Sequence, residues 1–272
     1  MNMRCTGVFL LSLLLAGCAK KGGPVESEIV PADTTGVIPD WTLVWHDEFD
    51  GRAVDTTRWS YEVNGDGGGN NELQYYTARV QNSFVTNGVL VIQALKEQYM
   101  GRSYTSARMR TLNRGDWKYV RVDARAMLPS GRGLWPAIWM LPTDWVYGGW
   151  PRSGEIDIME MIGHEPQKVY GTIHYGSSVQ DHQKSGGSYV LASPGRFDDA
   201  FHVFTMEWDS VGMRWYVDGV RYYTTVHGGP FDQRFHILLN VAVGGVWPGD
   251  PDSTTAFPQA MQVDYVRVYR KN

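Results

Sequence analysis

Short segments in which apolar and polar residues alternate, each closed by a turn signal, constrain the fold of this chain more than any other feature. Residues 85–92, VTNGVLVI, predict a hairpin, because their Asn-Gly dipeptide favours the tight turns that join two strands. No segment keeps a helical period over a window of about 11 residues. Further strands are predicted at residues 119–126, 201–208, 213–219, 235–243 and 262–269. This pattern indicates an all-β antiparallel sandwich, and a chain of 272 residues has room for a large jelly roll.

The N-terminus has the pattern of an export signal. A basic start is followed by the apolar run 8–16, which is too short to span a membrane. The run ends in LAGC, which resembles a bacterial lipoprotein signal, so residues 1–17 are the expected signal peptide and Cys18 the expected lipidation site. An ordinary signal peptide is the alternative. Residues 18–39 lack apolar periodicity and predict a flexible tether to a folded domain at 40–272.

Composition narrows the range of partners. A net charge of −4 does not favour nucleic acid or an anionic membrane surface, so contact with a membrane is expected only through the lipid anchor. The protein is predicted to be exported, to be anchored to the outer membrane or cell surface, and to be monomeric. The 11 tryptophans and 15 tyrosines suit a wet binding surface for sugars, although core packing is an alternative use for them.

The stretch 154–163, GEIDIMEMIG, concentrates three acids among apolar residues. Glu155 and Asp157 share one face of a strand, whereas Glu160 has the opposite parity. A β-bulge with Met159 as the extra residue would turn Glu160 to the face of the other two. Retaining glycoside hydrolysis needs two carboxyl groups about 5–5.5 Å apart, and this arrangement would supply them. A solvated strand face is the alternative, but clustered like charges repel one another.

The same stretch resembles the signature of glycoside hydrolase family 16, and its longer form with the extra Met resembles the laminarinase-type members of that family. The resemblance covers most of residues 41–270. The segments that carry it, in the family's order, are WHDEFDG (45–51), NNELQYYT (70–77), YTSARMRT (104–111), GRGLWPAIWMLP (131–142), GTIHYG (171–176), FHVFTMEWD (201–209), FHILLNVAVGGVWPG (235–249) and VDYVRVY (263–269).

The resemblance implies a jelly roll of two curved antiparallel sheets with a substrate cleft on the concave face. It also implies retaining double displacement on β-1,3-glucan, with Glu155 as nucleophile, Asp157 as assisting acid and Glu160 as general acid/base. His174 matches a histidine near the acid/base, with an ordinary sheet histidine as the alternative. Mixed-linkage glucan or marine galactan as substrate, or glucan binding without turnover, are the alternative functions.

Further residues are assigned by the resemblance to substrate binding. Trp135, Trp139 and Trp150 are expected to stack on sugar faces, and Trp139 is the expected core residue if one of them is buried. The other expected substrate contacts are Asn71, Arg108 with Arg110 as its alternative, Trp247 and Gln259. The polar stretch 176–187 either lines the cleft or covers a sheet edge.

No cofactor is expected for catalysis, but a structural calcium on the convex side is implied by the resemblance. Its matching ligands are the Glu48 side chain, the Gly88 carbonyl and Asp264. Oxygen ligands of this kind suit Ca²⁺.

Overall fold

The computed structural model describes residue 1, residues 38–226 and residues 229–272. Cys18, the expected signal peptide after Met1 and the expected tether up to residue 37 lie outside the described residues. The described residues form a 3-10 turn at Gly67–Gly69 and the strands β1 (Trp41–Asp47), β2 (Ser60–Glu62), β3 (Gln74–Tyr76), β4 (Ser83–Thr86), β5 (Val89–Tyr99), β6 (Arg102–Ser106), β7 (Arg108–Arg110), β8 (Asp116–Trp117), β9 (Arg121–Met127), β10 (Leu134–Pro142), β11 (Glu155–Glu160), β12 (Lys168–Tyr175), β13 (Gln183–Val190), β14 (His202–Trp208), β15 (Gly212–Val217), β16 (Val220–Val226), β17 (Phe235–Val243) and β18 (Gln259–Lys271).

Two sheets form the sandwich that the alternating pattern predicts. The first has ten strands in the order β16-β15-β14-β9-β18-β5-β6-β3, with β1 beside β18 and β4 beside β5. The second has eight strands in the order β13-β12-β11-β10-β17-β7-β2, with β8 beside β17. Pairing is antiparallel except between β3 and β6. The apolar core lies between the sheets and includes the fully buried Trp59, Trp208 and Trp215.

The segments that carry strong local sequence signals adopt the predicted structures. Asn87 and Gly88 both have positive φ, 52° and 74°, as a tight hairpin turn between β4 and β5 requires. The strand predicted at 235–243 has those same bounds and is buried along its whole length. Within 38–226 and 229–272, no helix has the length and apolar character needed to cross a membrane.

Register in the second sheet brings distant residues into one row. Arg108 of β7 pairs with Asn240 of β17, which pairs with Ala137 of β10. Ala137 in turn pairs with Glu160 of β11, which pairs with Tyr170 of β12. Because paired residues point to the same side of a sheet, these five residues share the face that turns away from the core, here called the open face.

A bulge in β11 decides which residues reach the open face. Between Asp157 and Glu160, two residues of β11 stand opposite a single residue of β12. The predicted bulge is therefore present, but its position differs by one residue: Met159 keeps a partner in β10, and Ile158 is the residue skipped in that ladder. Ile158 and Met159 are both buried, so the bulge exposes no apolar side chain to solvent.

The first sheet holds the bulged strand from behind. Trp215 of β15 donates its indole N–H to the backbone carbonyl of Asp157 at 2.8 Å. The residue of β12 opposite the bulge is Gly171, where an added Cβ would lie 2.3 Å from Cδ1 of Trp215 and 2.5 Å from Oη of Tyr222. The absence of a side chain at Gly171 therefore leaves the space in which Trp215 reaches β11.

We expect Trp215→Phe to lower the free energy of unfolding by about 1–3 kcal/mol, because it leaves a buried carbonyl without its donor. Trp208→Phe is the matched control, since Trp208 is equally buried and donates to the Phe231 carbonyl at 3.1 Å, away from β11. Denaturant titration should show similar losses in both variants. Only Trp215→Phe should speed amide hydrogen exchange in residues 155–160, and equal exchange in the two variants would contradict the proposed support of β11.

Candidate active site

Three acids lie on the open face of β11. Asp157 is 2% exposed, whereas Glu155 and Glu160 are partly exposed. A carboxylate oxygen of Glu155, one of Asp157 and a ring nitrogen of His174 all lie within 4.8 Å of one another. The bulge thus gathers the acids that the sequence analysis singled out, and β12 adds the predicted histidine.

Each outer acid has its own indole donor. Trp150 donates Nε1–H to Glu155 Oε2 at 2.9 Å, and Trp135 donates Nε1–H to Glu160 Oε1 at 2.9 Å. Hydrogen bonds of this kind fix the carboxylate and favour its ionised form. Trp135 and Trp150, two of the tryptophans predicted to contact substrate, therefore also hold a carboxylate in place.

Asp157 has a different environment. Its Oδ2 lies 3.1 Å from Nε2 of His174, within ion-pair distance. The contact lacks hydrogen-bond geometry, and this buried oxygen has no hydrogen-bond donor among the described residues. The interaction between Asp157 and His174 is therefore one of charge, and it is attractive when His174 is protonated.

Burial and mutual repulsion dominate the electrostatics. Burial and the neighbouring Asp157 raise the pKa of Glu155 to about 8, against the opposing effect of His174. Burial and Asp157 likewise raise the pKa of Glu160 to about 8, while His174 and the Trp135 N–H oppose the shift. Burial raises the pKa of Asp157 to about 8. Three negative charges are thus disfavoured at neutral pH, and the cluster retains protons that a carboxyl group in water would lose.

Arg108 lies at the opposite end of the open face from β12. Its guanidinium is 3.4 Å from Glu62 and 3.5 Å from the buried Glu72, and it lies over the rings of Tyr76 and Trp139. Although burial opposes it, the charges of Tyr76, Glu72 and Glu62 raise the pKa of Arg108. Arg110, the alternative substrate contact, pairs with Glu62 at 2.9 Å. These contacts fix the positive charge of Arg108 on the open face.

Trp139 is half-buried and is not a core residue, so the alternative position considered for it does not hold. Its partner in β11 is Asp157, which places the indole on the open face. There it donates Nε1–H to Asn240 Oδ1 at 2.8 Å. The apolar segment around it, AIWML, belongs to a strand whose alternate residues Ile138 and Met140 are buried.

Loops border the open face and make it a cleft. Trp247, 39% exposed, forms edge contacts with Trp135 at 5.4 Å and Tyr170 at 5.1 Å between ring centroids. Asn71 is exposed on the loop before β3, whose Asn70 carbonyl accepts the Val246 N–H. This exposed position beside the open face is consistent with the substrate contact predicted for Trp247.

Gln259 lies on the first sheet, where it pairs with Ala94 at the start of β18. It shares the inward face of that strand with the buried Met261 and Val263. No described contact joins it to the acids of β11, so its role as a substrate contact stays a prediction.

The expected calcium ligands converge in the sheet but are engaged elsewhere. Glu48 follows β1, and Gly88 precedes β5. Both strands pair with β18, one on each side of Asp264. Glu48 accepts two hydrogen bonds from Arg267, at 2.9 and 2.8 Å, and Asp264 accepts one from Arg125 at 2.6 Å. In this arrangement the carboxylates do not fit an ion, because each already neutralises an arginine.

Sequence reasoning missed several residues of the site. Two carried a detectable signal: Asn240 is a polar residue between apolar ones in a buried strand, and Glu72 is an acid within an otherwise neutral segment. The partners of these two residues depend on sheet register, which sequence does not reveal. The other missed residues are Glu62, Tyr76, Tyr170 and His182.

Comparison with known proteins gives a consistent result. A family model described as “Glycosyl hydrolases family 16” matches residues 70–267. A beta-glucanase of Rhodothermus marinus is 46% identical over 284 residues, which cover 96% of this chain and 93% of that protein. A glucan endo-1,3-beta-glucosidase of Cryptopygus antarcticus is 37% identical over 287 residues, or 97% and 99% of the two chains. The laminarinase catalytic domain of Thermotoga maritima MSB8 superposes with a TM-score of 0.80 at 44% identity, over 86% of this chain and 99% of that one.

We expect Asp157→Asn to stabilise the fold at neutral pH. An acid whose pKa is raised on folding binds more protons in the folded than in the unfolded state, so the stability it contributes falls as pH rises from about 4 to about 8. The variant should therefore melt about 2–4 °C higher than the parent at pH 8, as a gain near 1 kcal/mol would give, with the difference vanishing near pH 4.

Asp218→Asn is the control of opposite sign. Although burial raises it, hydrogen bonds from His202 and the Val203 N–H lower the pKa of Asp218 overall. That variant should melt below the parent at neutral pH, and its deficit should shrink as pH falls below about 4. Melting curves at several pH values test both expectations, and a pH-independent effect of Asp157→Asn would refute the burial argument.

Proposed function

The chain belongs to glycoside hydrolase family 16, and from this membership and the site we propose that it hydrolyses β-1,3-glucosidic bonds within laminarin-like β-glucans, with retention of anomeric configuration. The observation that carries the proposal is the pair of outer acids on one face of β11, each held by a separate indole N–H, with Asp157 between them. Catalysis in this family needs no cofactor, and the chemistry below uses only side chains and water.

Glu155 is the proposed nucleophile. Its carboxylate attacks the anomeric carbon as Glu160 protonates the departing glycosidic oxygen, giving a glycosyl ester and a free sugar hydroxyl. Glu160 then takes a proton from water, which breaks the ester and releases the β-anomer with both acids in their starting states. One outer acid must be ionised and the other protonated, and a cluster in which burial disfavours full ionisation supports such a division.

Asp157 and His174 manage the charge of the cluster. As Glu155 gives up its charge in the ester, the repulsion that it exerts on Asp157 disappears. A protonated His174 beside Asp157 lowers the pKa of Glu155 and of Glu160 and so limits how far their burial suppresses ionisation. This balance keeps the site active near neutral pH.

The substrate class rests on relatives and on the shape of the open face. Proteins named beta-glucanase and glucan endo-1,3-beta-glucosidase cover nearly all of this chain. The exposed indoles of Trp150 and Trp247 suit the apolar faces of glucose rings. Arg108, together with Asn71, the residue before its partner Glu72, would hold hydroxyl groups on the non-reducing side of the cleaved bond.

For the exported protein, we propose cleavage of the signal peptide 1–17, lipidation at Cys18 and attachment to the outer membrane or cell surface through the tether 18–39. The proposal is supported by the LAGC sequence at residues 15–18 and by the polar composition of the tether. A monomer in which one domain, 40–272, performs the chemistry completes it.

The proposed function is tested by digestion of laminarin, curdlan, lichenan and agarose. We expect short oligosaccharides from laminarin and curdlan, with the β-anomer formed first by NMR, and no products from agarose. Glu155→Gln and Glu160→Gln should each lower kcat at least about 10³-fold without loss of fold. An α-anomer formed first, or near-normal turnover by either variant, would refute the mechanism.

Reaction with azide distinguishes the nucleophile from the general acid/base. On an activated aryl glucoside, Glu155→Ala with azide should yield the α-glycosyl azide, because azide replaces the nucleophile directly. Glu160→Ala should yield the β-glycosyl azide, because azide then attacks the glycosyl ester. The reverse pairing of products would exchange the assignments.

A structural calcium at Glu48, Gly88 and Asp264 is part of the proposal only if Arg125 and Arg267 release their carboxylates. We then expect millimolar Ca²⁺ to raise Tm relative to the chelator-treated protein, and Asp264→Asn to abolish the increase. Asp252→Asn, an exposed acid elsewhere, is the control and should keep it. An unchanged Tm with Ca²⁺ would mean that the arginine pairs serve in place of the ion.

A further inference from the structure

The turn between β12 and β13 is internally braced. The Ser177 hydroxyl and backbone N–H both donate to Asp181 Oδ2, at 2.7 and 3.2 Å. The Asp181 N–H in turn contacts the Ser178 hydroxyl and carbonyl, both at 3.2 Å. This bracing fixes the direction in which the next residue, His182, leaves the turn.

His182 reaches back to the active site. Its Nε2 lies 2.7 Å from Nδ1 of His174, and the two ring planes differ by 12°. This separation is shorter than the roughly 3.5 Å at which stacked rings touch, so the rings meet edge to edge. His182 also contacts the ring of Trp150, at 4.8 Å between centroids, on the indole that donates to Glu155.

A hydrogen bond between two ring nitrogens contains one proton, and the surroundings decide which ring owns it. His174 faces the three acids of β11, which favour a positive charge there. His182 faces Lys184 as well as His174, and burial together with these two cations lowers the pKa of His182. The arrangement therefore favours His174 as the charged donor and His182 as the neutral acceptor.

We propose that His182 is a positioning residue, which accepts the Nδ1–H of His174 and thereby keeps the positive charge of His174 beside Asp157. The inference rests on the proposed function, because it assigns to His182 the support of the charge on which Glu155 and Glu160 depend. His182 touches neither acid and acts only through His174 and Trp150. The charged groups around the pair are Glu155, Asp157, Glu160, Asp181, Lys184 and Arg152, the last held by the Ser177 carbonyl.

The expected effect is a displaced pH profile. Without an acceptor at Nδ1, the positive charge of His174 is less well held beside the acids, and its opposition to the raised pKa values of Glu155 and Glu160 weakens. Activity needs Glu155 ionised, so the acidic limb of kcat/KM should move to higher pH, and the alkaline limb, set by Glu160, should move the same way. A shift of about one pH unit corresponds to a tenfold loss at a fixed pH on the acidic limb.

Two variants of the full chain test this expectation on laminarin. His182→Leu keeps an apolar contact with Trp150 but removes the acceptor, and should show the displaced limbs. His182→Gln places an amide oxygen near the position of Nε2, and should restore the parental profile. Equal profiles for the parent and His182→Leu, or a His182→Gln profile that matches His182→Leu, would overturn the proposal.

The ring protons can be observed without relying on any variant's activity. In the ¹⁵N spectrum of the parent protein at pH 6–7, both nitrogens of His174 should be protonated and Nε2 of His182 should be unprotonated, with the signals assigned from His174→Gln and His182→Leu. A neutral His174 that accepts from His182 would overturn the proposal. A parent that cleaves none of the glucans would instead refute the proposed function, and the NMR result would still decide the proton's position.

Discussion

The active site depends on the bulge in the middle of β11, where two residues of β11 stand opposite one residue of β12. A strand of strict alternation would send Glu160 into the core and leave Glu155 and Asp157 alone on the open face. The skipped residue reverses that parity within one strand, and Ile158 and Met159 both remain buried. The rest of the cleft is then assembled by register alone, because every strand beside β11 presents its own alternate residues to the same face.

The site also shows how the fold contains an unfavourable charge cluster. Burial raises the pKa of all three acids, so their ionisation works against stability. Opposing this are the indole N–H groups of Trp135 and Trp150 and the ring of His174, while the Trp215 indole N–H holds the Asp157 carbonyl from the opposite sheet. Each of these contacts holds a group of β11 in place, so the structure that tolerates the charges is the structure that aligns them.

The sequence predicted the features that local patterns determine, such as turns and buried strands. It did not predict the features that depend on the register between distant strands. The hairpin at Asn87-Gly88 and the strand Phe235–Val243 are confirmed because turn chemistry and burial are written in adjacent residues. The parity slip before Glu160 correctly implied a bulge, but one strand cannot show which of two apolar residues its neighbour will skip. Trp139 was predicted to contact substrate, with a core position as the alternative suggested by its apolar neighbours, and its pairing with Asp157 places it on the open face.

Long-range pairs explain the other gaps. The approach of Arg108 to Glu72, and of His182 to His174, depends on strands and turns whose relative offsets no short motif encodes. The resemblance supplied roles for residues within recognised motifs, but His182 lies in the Gly- and Ser-rich stretch between them. That stretch turned out to do both things considered for it, since its turn reaches the cleft and its strand β13 forms the sheet edge.

Gly171 has a consequence for how this sequence can change. Its missing side chain makes room for Trp215, and Trp215 reaches the carbonyl of Asp157 through that room. A larger residue at 171 is therefore compatible only with a smaller one at 215, and the smaller one forfeits the bond behind the acids. The two positions lie in different sheets, and we expect them to change together: a larger residue at 171 alone would clash with Trp215, and a smaller one at 215 alone would leave the Asp157 carbonyl without its donor.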